Sequence, residues 1–429
     1  MSQTDRRAWL AGYAAHVSRG KVKFYRRYGF TLVPHRREGA WLWDANGRRY
    51  LNLHCNGGVF NLGHRNPQII AALQTALTDY DIGNHHLPSG PKALLARRLA
   101  QCLPGDLKHV VFGVSGGEAI DTAIKLARAV TGRPGILSAR GGYHGHTGLA
   151  LAAGDERFKA PFGPLPAGFR QVPFDDVPAL AQAMGEDTAA VILETIPATL
   201  GVRVPHPDYF RHVRRLCDQH GALFIADEVQ TGLGRTGKLW AIEHFGVTPD
   251  ILVTGKGLSG GIYPITATCV NPRVYRFIER NPFIHISTFG GSDLGCLVAL
   301  EVLRITADPA FLAEVTRKAA RMRAGLEAVQ QEHRAVFPEI RQLGLFIGLR
   351  FADTGFTLAL CKALFDHGVY AIYSANDKRV LQWLPPLIIS DAEMDEALTL
   401  LDRALHAVRS RPRYRLLRFV AQRLGKEPV

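Results

Sequence analysis

Three short stretches hold residue types that could do chemistry together: Ser115-Gly116-Gly117, Asp227-Glu228, and Lys256 between Gly255 and Gly257. Glycines in the first let the backbone approach an anion, and a helix opening there would aim unpaired N–H groups and its positive dipole end at that anion. This makes a phosphate cradle, although Ser-Gly-Gly also builds an ordinary turn with a serine cap. Asp227 and Glu228 close an otherwise apolar run. Desolvated carboxylates need partners, and an acid at the C-terminal edge of a parallel sheet stands where ligands bind; a structural ion pair or a helix cap is the alternative. Lys256 follows Ile251-Leu252-Val253-Thr254, 29 residues beyond Asp227. Apolar surroundings destabilise an ammonium and expose the free amine that a Schiff base requires, whereas the bland reading is a surface lysine after a strand.

Positioning such groups calls for a sheet with helices on it. Apolar, β-branched runs at 110–114, 190–194, 222–229 and 251–254 predict buried strands, and apolar residues at helical spacing over 118–130 and 207–219 predict helices between them. The alternation implies an α/β fold with a mainly parallel sheet covered on both faces. No repeat, linker or charge block interrupts 61–305, which is expected to form one large domain. Residues 1–60 and 306–429 are expected to make a smaller domain together, ending in a basic helix.

Composition narrows the class. With 429 residues, 47% hydrophobic and 21% charged, the chain is long enough for a large core plus a second domain, which excludes disorder and fibres. The six cysteines are far apart, with no C-x-x-C spacing for zinc and no disulfide-scaffold density, so a reducing cytoplasm is expected. No apolar run approaches the roughly 18 residues that span a bilayer, and neither export nor a membrane partner is expected. The net charge of +14 is concentrated toward the C-terminus, where six Arg and one Lys face one Glu between Arg409 and Val429. Only Tyr414 and Phe419 interleave those charges, which favours a solvated helix over a nucleic-acid surface.

A phosphate, an aldehyde for Lys256 and a basic ring nitrogen for Asp227 together describe pyridoxal 5′-phosphate (PLP). Further motifs extend the pattern. They are DANGRRYLNLHCNGGVFNLGHRNP at 44–67, Gly142-Tyr143-His144-Gly145, DEVQTGLGRTG at 227–237, Thr288-Phe289-Gly290-Gly291 and Pro385-Pro386-Leu387. In these the chain resembles the class III aminotransferases of PLP fold type I over nearly its whole length. That resemblance implies a large domain with a seven-stranded, mainly parallel sheet flanked by helices, and a smaller α+β domain drawn from both termini. It also implies that Lys256 forms the Schiff base and moves protons at the substrate carbon, and that Asp227 pairs with the ring nitrogen. Tyr143 and Val229 would flank the ring, Gln230 would bond its oxygen, and Ser115, Gly116 and Gly117 would hold the phosphate. Thr288 would come from a second subunit, making the protein a homodimer acting on a small-molecule amine.

Other readings are weaker. Glycines at 232, 234 and 237 imitate a dinucleotide fingerprint but stand five residues past the acid, before no evident helix. Asn84-His85-His86 and His144-Gly145-His146 suggest a metal but lack a third acidic ligand, so no metal is expected. Two departures from the family are informative. Many members that use 2-oxoglutarate carry an arginine before Pro-Pro-Leu and a glutamate that neutralises it; this chain has Gln382 and Thr199. Neutral residues at both places leave no unpaired charge, and glutamine cannot replace a bidentate arginine. The expectation is a transaminase moving the amino group of a small non-alpha or anionic amine to an oxo acid other than 2-oxoglutarate. The alternative is a lyase releasing ammonia or phosphate from a phosphorylated or phosphonate amine, or an aminomutase. Arg203, Arg140, His85 and His86 are candidate anion contacts, each also readable as solvated surface. Asn52 and Asp121, where the family has Asp or Glu, carry no assigned function.

Overall fold

A computed structural model describes residues 6–30 and 32–423, with side chains described through 420. Strands β1 (Pro34–Glu38), β2 (Trp41–Asp44) and β3 (Arg49–Asn52) form an antiparallel ribbon ahead of the main body. The main sheet comprises β4 (His109–Gly113), β5 (Gly135–Ala139), β6 (Phe169–Val172), β7 (Thr188–Glu194), β8 (Leu223–Asp227), β9 (Ile251–Thr254) and β10 (Thr266–Val270). Their order is β4-β10-β9-β8-β7-β5-β6, and only β10 runs antiparallel to its neighbours. Every residue of β7, β8 and β9 is buried, as helices on both faces require. Each large aliphatic side chain so buried contributes about 1.5–3 kcal/mol.

The helix expected over 118–130 runs Gly116–Thr131, because Ser115 caps it and the two glycines fall in the first turn, where propensity counts least. It ends at Gly132, whose φ of 70° is the left-handed stop that glycine supplies. The 207–219 expectation becomes Tyr209–His220.

The remaining strands, β11 (Glu339–Leu343), β12 (Phe346–Arg350), β13 (Val369–Tyr370), β14 (Ile372–Tyr373) and β15 (Val380–Trp383), complete two small sheets. β13 pairs in parallel with β3, Val369 beside Leu51, and Leu51 shares one apolar cluster with Met322, Phe351 and Trp383. Both ends of the chain therefore build one core. The basic C-terminal helix Pro412–Arg423 is docked as well as solvated: Tyr414 is buried and donates to Asp366 at 2.8 Å, and Arg418 bonds Asp353 at 2.6 Å. Residues 424–429 lie outside the described part. No helix among the described residues is long and apolar enough to cross a membrane.

Candidate active site

The C-terminal edge of the main sheet opens on a cavity of about 430 Å³. Glu194 and Asp227 end β7 and β8 in register with each other, and Lys256 opens the short turn Lys256–Ser259 just past β9. Lys256 has a φ of 39°, a left-handed conformation held by its surroundings at the point where the chain must turn the side chain inward. Ser115, Gly116, Gly117, Tyr143, Asp227, Val229, Gln230 and Lys256 all line this cavity.

The two adjacent acids divide, because successive residues at a strand end face opposite ways. Asp227 faces the cavity and is 5% exposed; its Oδ2 lies 2.8 Å from His144 Nδ1, and its Oδ1 accepts from Val229 N at 3.1 Å. Glu228 faces away and accepts from four donors: Thr195 Oγ1 at 2.6 Å, Thr231 Oγ1 at 2.7 Å, Ala241 N at 3.1 Å and Ile242 N at 2.7 Å. Glu228 is thus held by structural partners alone, whereas Asp227 is paired with His144 and also lines the cavity.

Burial dominates the electrostatics of the cavity. It lowers the Lys256 ammonium below the ordinary lysine range, opposed by Asp227 and Glu194. It pushes the Glu194 carboxyl up to about 7, with His144 opposing and Asp227 adding to the shift. For His144 burial favours the neutral ring, but the Asp227 hydrogen bond and the charges of Asp227 and Glu194 outweigh it and the pKa is raised. His144 Nε2 is buried without a hydrogen-bond partner. His54, behind Lys256, is lowered to about 4 by burial and by that lysine.

At the mouth of the helix Gly116–Thr131, Ser115 Oγ accepts from Glu118 N at 3.3 Å while Glu118 Oε2 accepts from Val114 N at 2.7 Å. The serine hydroxyl thus serves the helix, while Gly116 and Gly117 line the cavity. Side chains would crowd this end of the cavity: a Cβ on Gly117 would stand 2.7 Å from Thr147 Oγ1, and one on Gly145, at φ 134°, 2.8 Å from Gly117 Cα. Tyr143 sets its ring edge-on to His146 and Phe158, at 5.3 and 5.8 Å between centroids.

Other sequence candidates lie elsewhere. Thr288 is exposed and does not line the cavity of its own chain. Gln382 donates to Ala198 O at 3.4 Å and Thr199 to Gly141 O at 3.0 Å, so each is tied to a backbone carbonyl. As anion contacts Arg203, Arg140, His85 and His86 are not borne out within this chain: Arg203 lines a separate surface pocket, and the other three are exposed. The glycine run at 232–237 forms consecutive turns and opens no helix. His144 pairs through Nδ1 with Asp227 Oδ2. Sequence reasoning missed Glu194, whose only signal was its place as the last residue of a buried strand, and the His144–Asp227 pair, which no spacing encodes.

A model of the family described as Aminotransferase class-III matches residues 25–405. An uncharacterized aminotransferase of Archaeoglobus fulgidus is 53% identical over 386 residues, 90% of this chain and 91% of its own. The ornithine aminotransferase of Toxoplasma gondii, in a structure with partial PLP occupancy at its active site, is 29% identical with a TM-score of 0.84, covering 95% of this chain and 98% of that one. N-acetylornithine aminotransferase from Stenotrophomonas maltophilia is 31% identical with a TM-score of 0.78, covering 91% and 99%.

Proposed function

The chain belongs to the class-III aminotransferases, PLP-dependent enzymes of fold type I, and on that premise we propose that it moves an amino group from a small non-alpha amine to an oxo acid other than 2-oxoglutarate. The residues fit the cofactor: a cradle that a Cβ would fill, a buried lysine with a lowered pKa and a paired carboxylate surround one cavity. When bound, PLP supplies an aldehyde for primary amines and a ring that draws electrons from the carbon beside that nitrogen.

In this reading Lys256 holds the cofactor and then takes and returns the proton at the substrate carbon, burial lowering its pKa and so favouring the free amine. Asp227, fixed by His144 and the Val229 amide, keeps the ring nitrogen protonated. Ser115, Gly116 and Gly117 hold the phosphate end, Tyr143 and Val229 flank the ring, and Gln230 bonds its oxygen. Thr288 serves the cavity of a second subunit. Support for that homodimer comes from Phe283, Ile284, Ile286 and Phe289, apolar side chains between 51% and 71% exposed around Thr288. The division at 60 and 305 belongs to the same proposal, supported by separate apolar clusters in the main sheet and the terminal sheets. So does a reducing, cytoplasmic setting, consistent with six unpaired cysteines.

The choice of substrates rests on one observation: neither Gln382 nor Thr199 carries charge, and among the described residues lining the cavity Lys256 is the sole lysine or arginine. Glu194 and Asp227 share that cavity, which disfavours the anionic option for the amine. The test is steady-state transfer from non-alpha amines. A pyruvate-like acceptor is expected to work, with kcat/KM for 2-oxoglutarate about tenfold to hundredfold lower, the scale of one lost charge-assisted contact. Lys256→Ala should abolish turnover and the borohydride-stable attachment of cofactor. A low KM for 2-oxoglutarate would refute the acceptor assignment. Sustained ammonia or phosphate release without any oxo acid would replace transfer by elimination.

A further inference from the structure

Outside the cavity lining, the helix Pro309–Glu332 packs on the helix Asp391–Ser410, and four metal-ligating side chains converge there. Glu332 and His333 come from the end of the first helix; Asp402 and His406, four residues apart, share one face of the second. We propose that these four residues form a binding site for a borderline divalent ion, zinc above all, that staples the two helices.

One ligand atom from each residue lies within 4.8 Å of the others. His333 Nε2 stands 2.8 Å and His406 Nε2 3.6 Å from the same Asp402 Oδ1. Zinc–ligand bonds of about 2.0–2.2 Å put tetrahedral neighbours about 3.3–3.6 Å apart, so small rotations suffice. Two imidazoles and two carboxylates suit zinc better than calcium or magnesium, which prefer oxygen alone. The site has a rigid and an adjustable half. The His333 side chain is fully buried and its ring meets His406 edge-on at 4.7 Å, whereas the His406 side chain is 60% exposed and open to an entering ion. Arg409 Nη1 donates to His333 Nδ1 at 3.3 Å, which leaves the ring proton on Nε2, directed at Asp402. Metal binding moves that proton to Nδ1 and releases Arg409, an exposed side chain, to solvent. None of the four lines the active-site cavity, so the role assigned is structural.

The test uses chelator-treated holoenzyme, with zinc followed by calorimetry and thermal unfolding and magnesium as control. Wild type should bind one zinc per chain and gain about 3 °C at a hundredfold excess over Kd. His406→Gln, an exposed change, should remove both signals without altering turnover, and Arg409→Ala should tighten binding severalfold. Replacing the exposed, adjacent pair His85 and His86 by alanine should leave both signals intact. Absence of stoichiometric binding, or a shift that survives in His406→Gln and vanishes with the His85/His86 variant, would overturn the site.

Discussion

At the scale of single residues, the acceptor question reduces to two neutral side chains. Gln382 is 6% exposed on β15, and its amide reaches Ala198 O, next door to Thr199. An arginine at 382 alone would be a buried cation without a partner, the arrangement that costs about 3–5 kcal/mol when one member of a buried pair is missing. A glutamate at 199 could supply that partner. Gln382→Arg should therefore destabilise strongly in chemical denaturation, and Thr199→Glu should restore part of that loss when combined with it. The double variant should also gain about tenfold in kcat/KM for 2-oxoglutarate. If the two changes are additive in stability, positions 199 and 382 do not communicate and the neutral pair says nothing about the acceptor.

At the scale of elements, the end of β8 shows how a strand serves stability and chemistry with consecutive residues. Each Glu228 oxygen faces one threonine hydroxyl and one backbone amide, and burial pushes the carboxyl up to about 7. A protonated acid satisfies this pocket, because its hydroxyl can donate to a threonine while still accepting from the amide. Glutamine cannot, since either placement of its NH₂ meets an amide N–H. Glu228→Gln should cost about 1–3 kcal/mol. The sign with pH follows from the raised folded value: from about 4.5 to about 7 the native state retains a proton that the unfolded chain has released. That part of the stability is present below 4.5 and disappears as pH rises through 7, and the variant should flatten this slope in denaturation measured across the window. An unchanged slope would show that Glu228 is ionised throughout.

The same elements show what a sequence can and cannot disclose. β9 is visible as Ile251–Thr254 because four apolar or β-branched residues stand together before a glycine, and Asp227 and Lys256 inherit their places from such strand ends. Glu194 was hidden because its relevance comes from the β7–β8 register, which sets it beside Asp227 and which no local pattern contains. The β3–β13 pairing joins Leu51 to Val369 across more than 300 residues, and two-residue strands have no period to read. Asn52 gains a meaning only in three dimensions. Its amide meets His64 at 2.8 Å, and burial lowers that ring to about 4, so a neutral partner matches a neutral histidine.

At the scale of the whole molecule, Lys256 lies between two openings, the cavity of about 430 Å³ and a second of about 260 Å³ lined by Ser115, Gly116, Tyr263 and Thr266. In one chain Ser115 and Gly116 also line that second opening, while Thr288 stays exposed amid Phe283, Ile284, Ile286 and Phe289. If another copy covers this apolar surface, association and cofactor retention must be linked, because whatever binds only the assembled state stabilises it by mass action. Phe283→Asp with Ile286→Asp should halve the mass in light scattering and weaken PLP retention and activity together. Thr288→Ala should leave the mass unchanged and weaken PLP about tenfold, the scale of one charge-assisted hydrogen bond. A monomeric variant with full activity would place the complete site within a single chain and remove Thr288 from it.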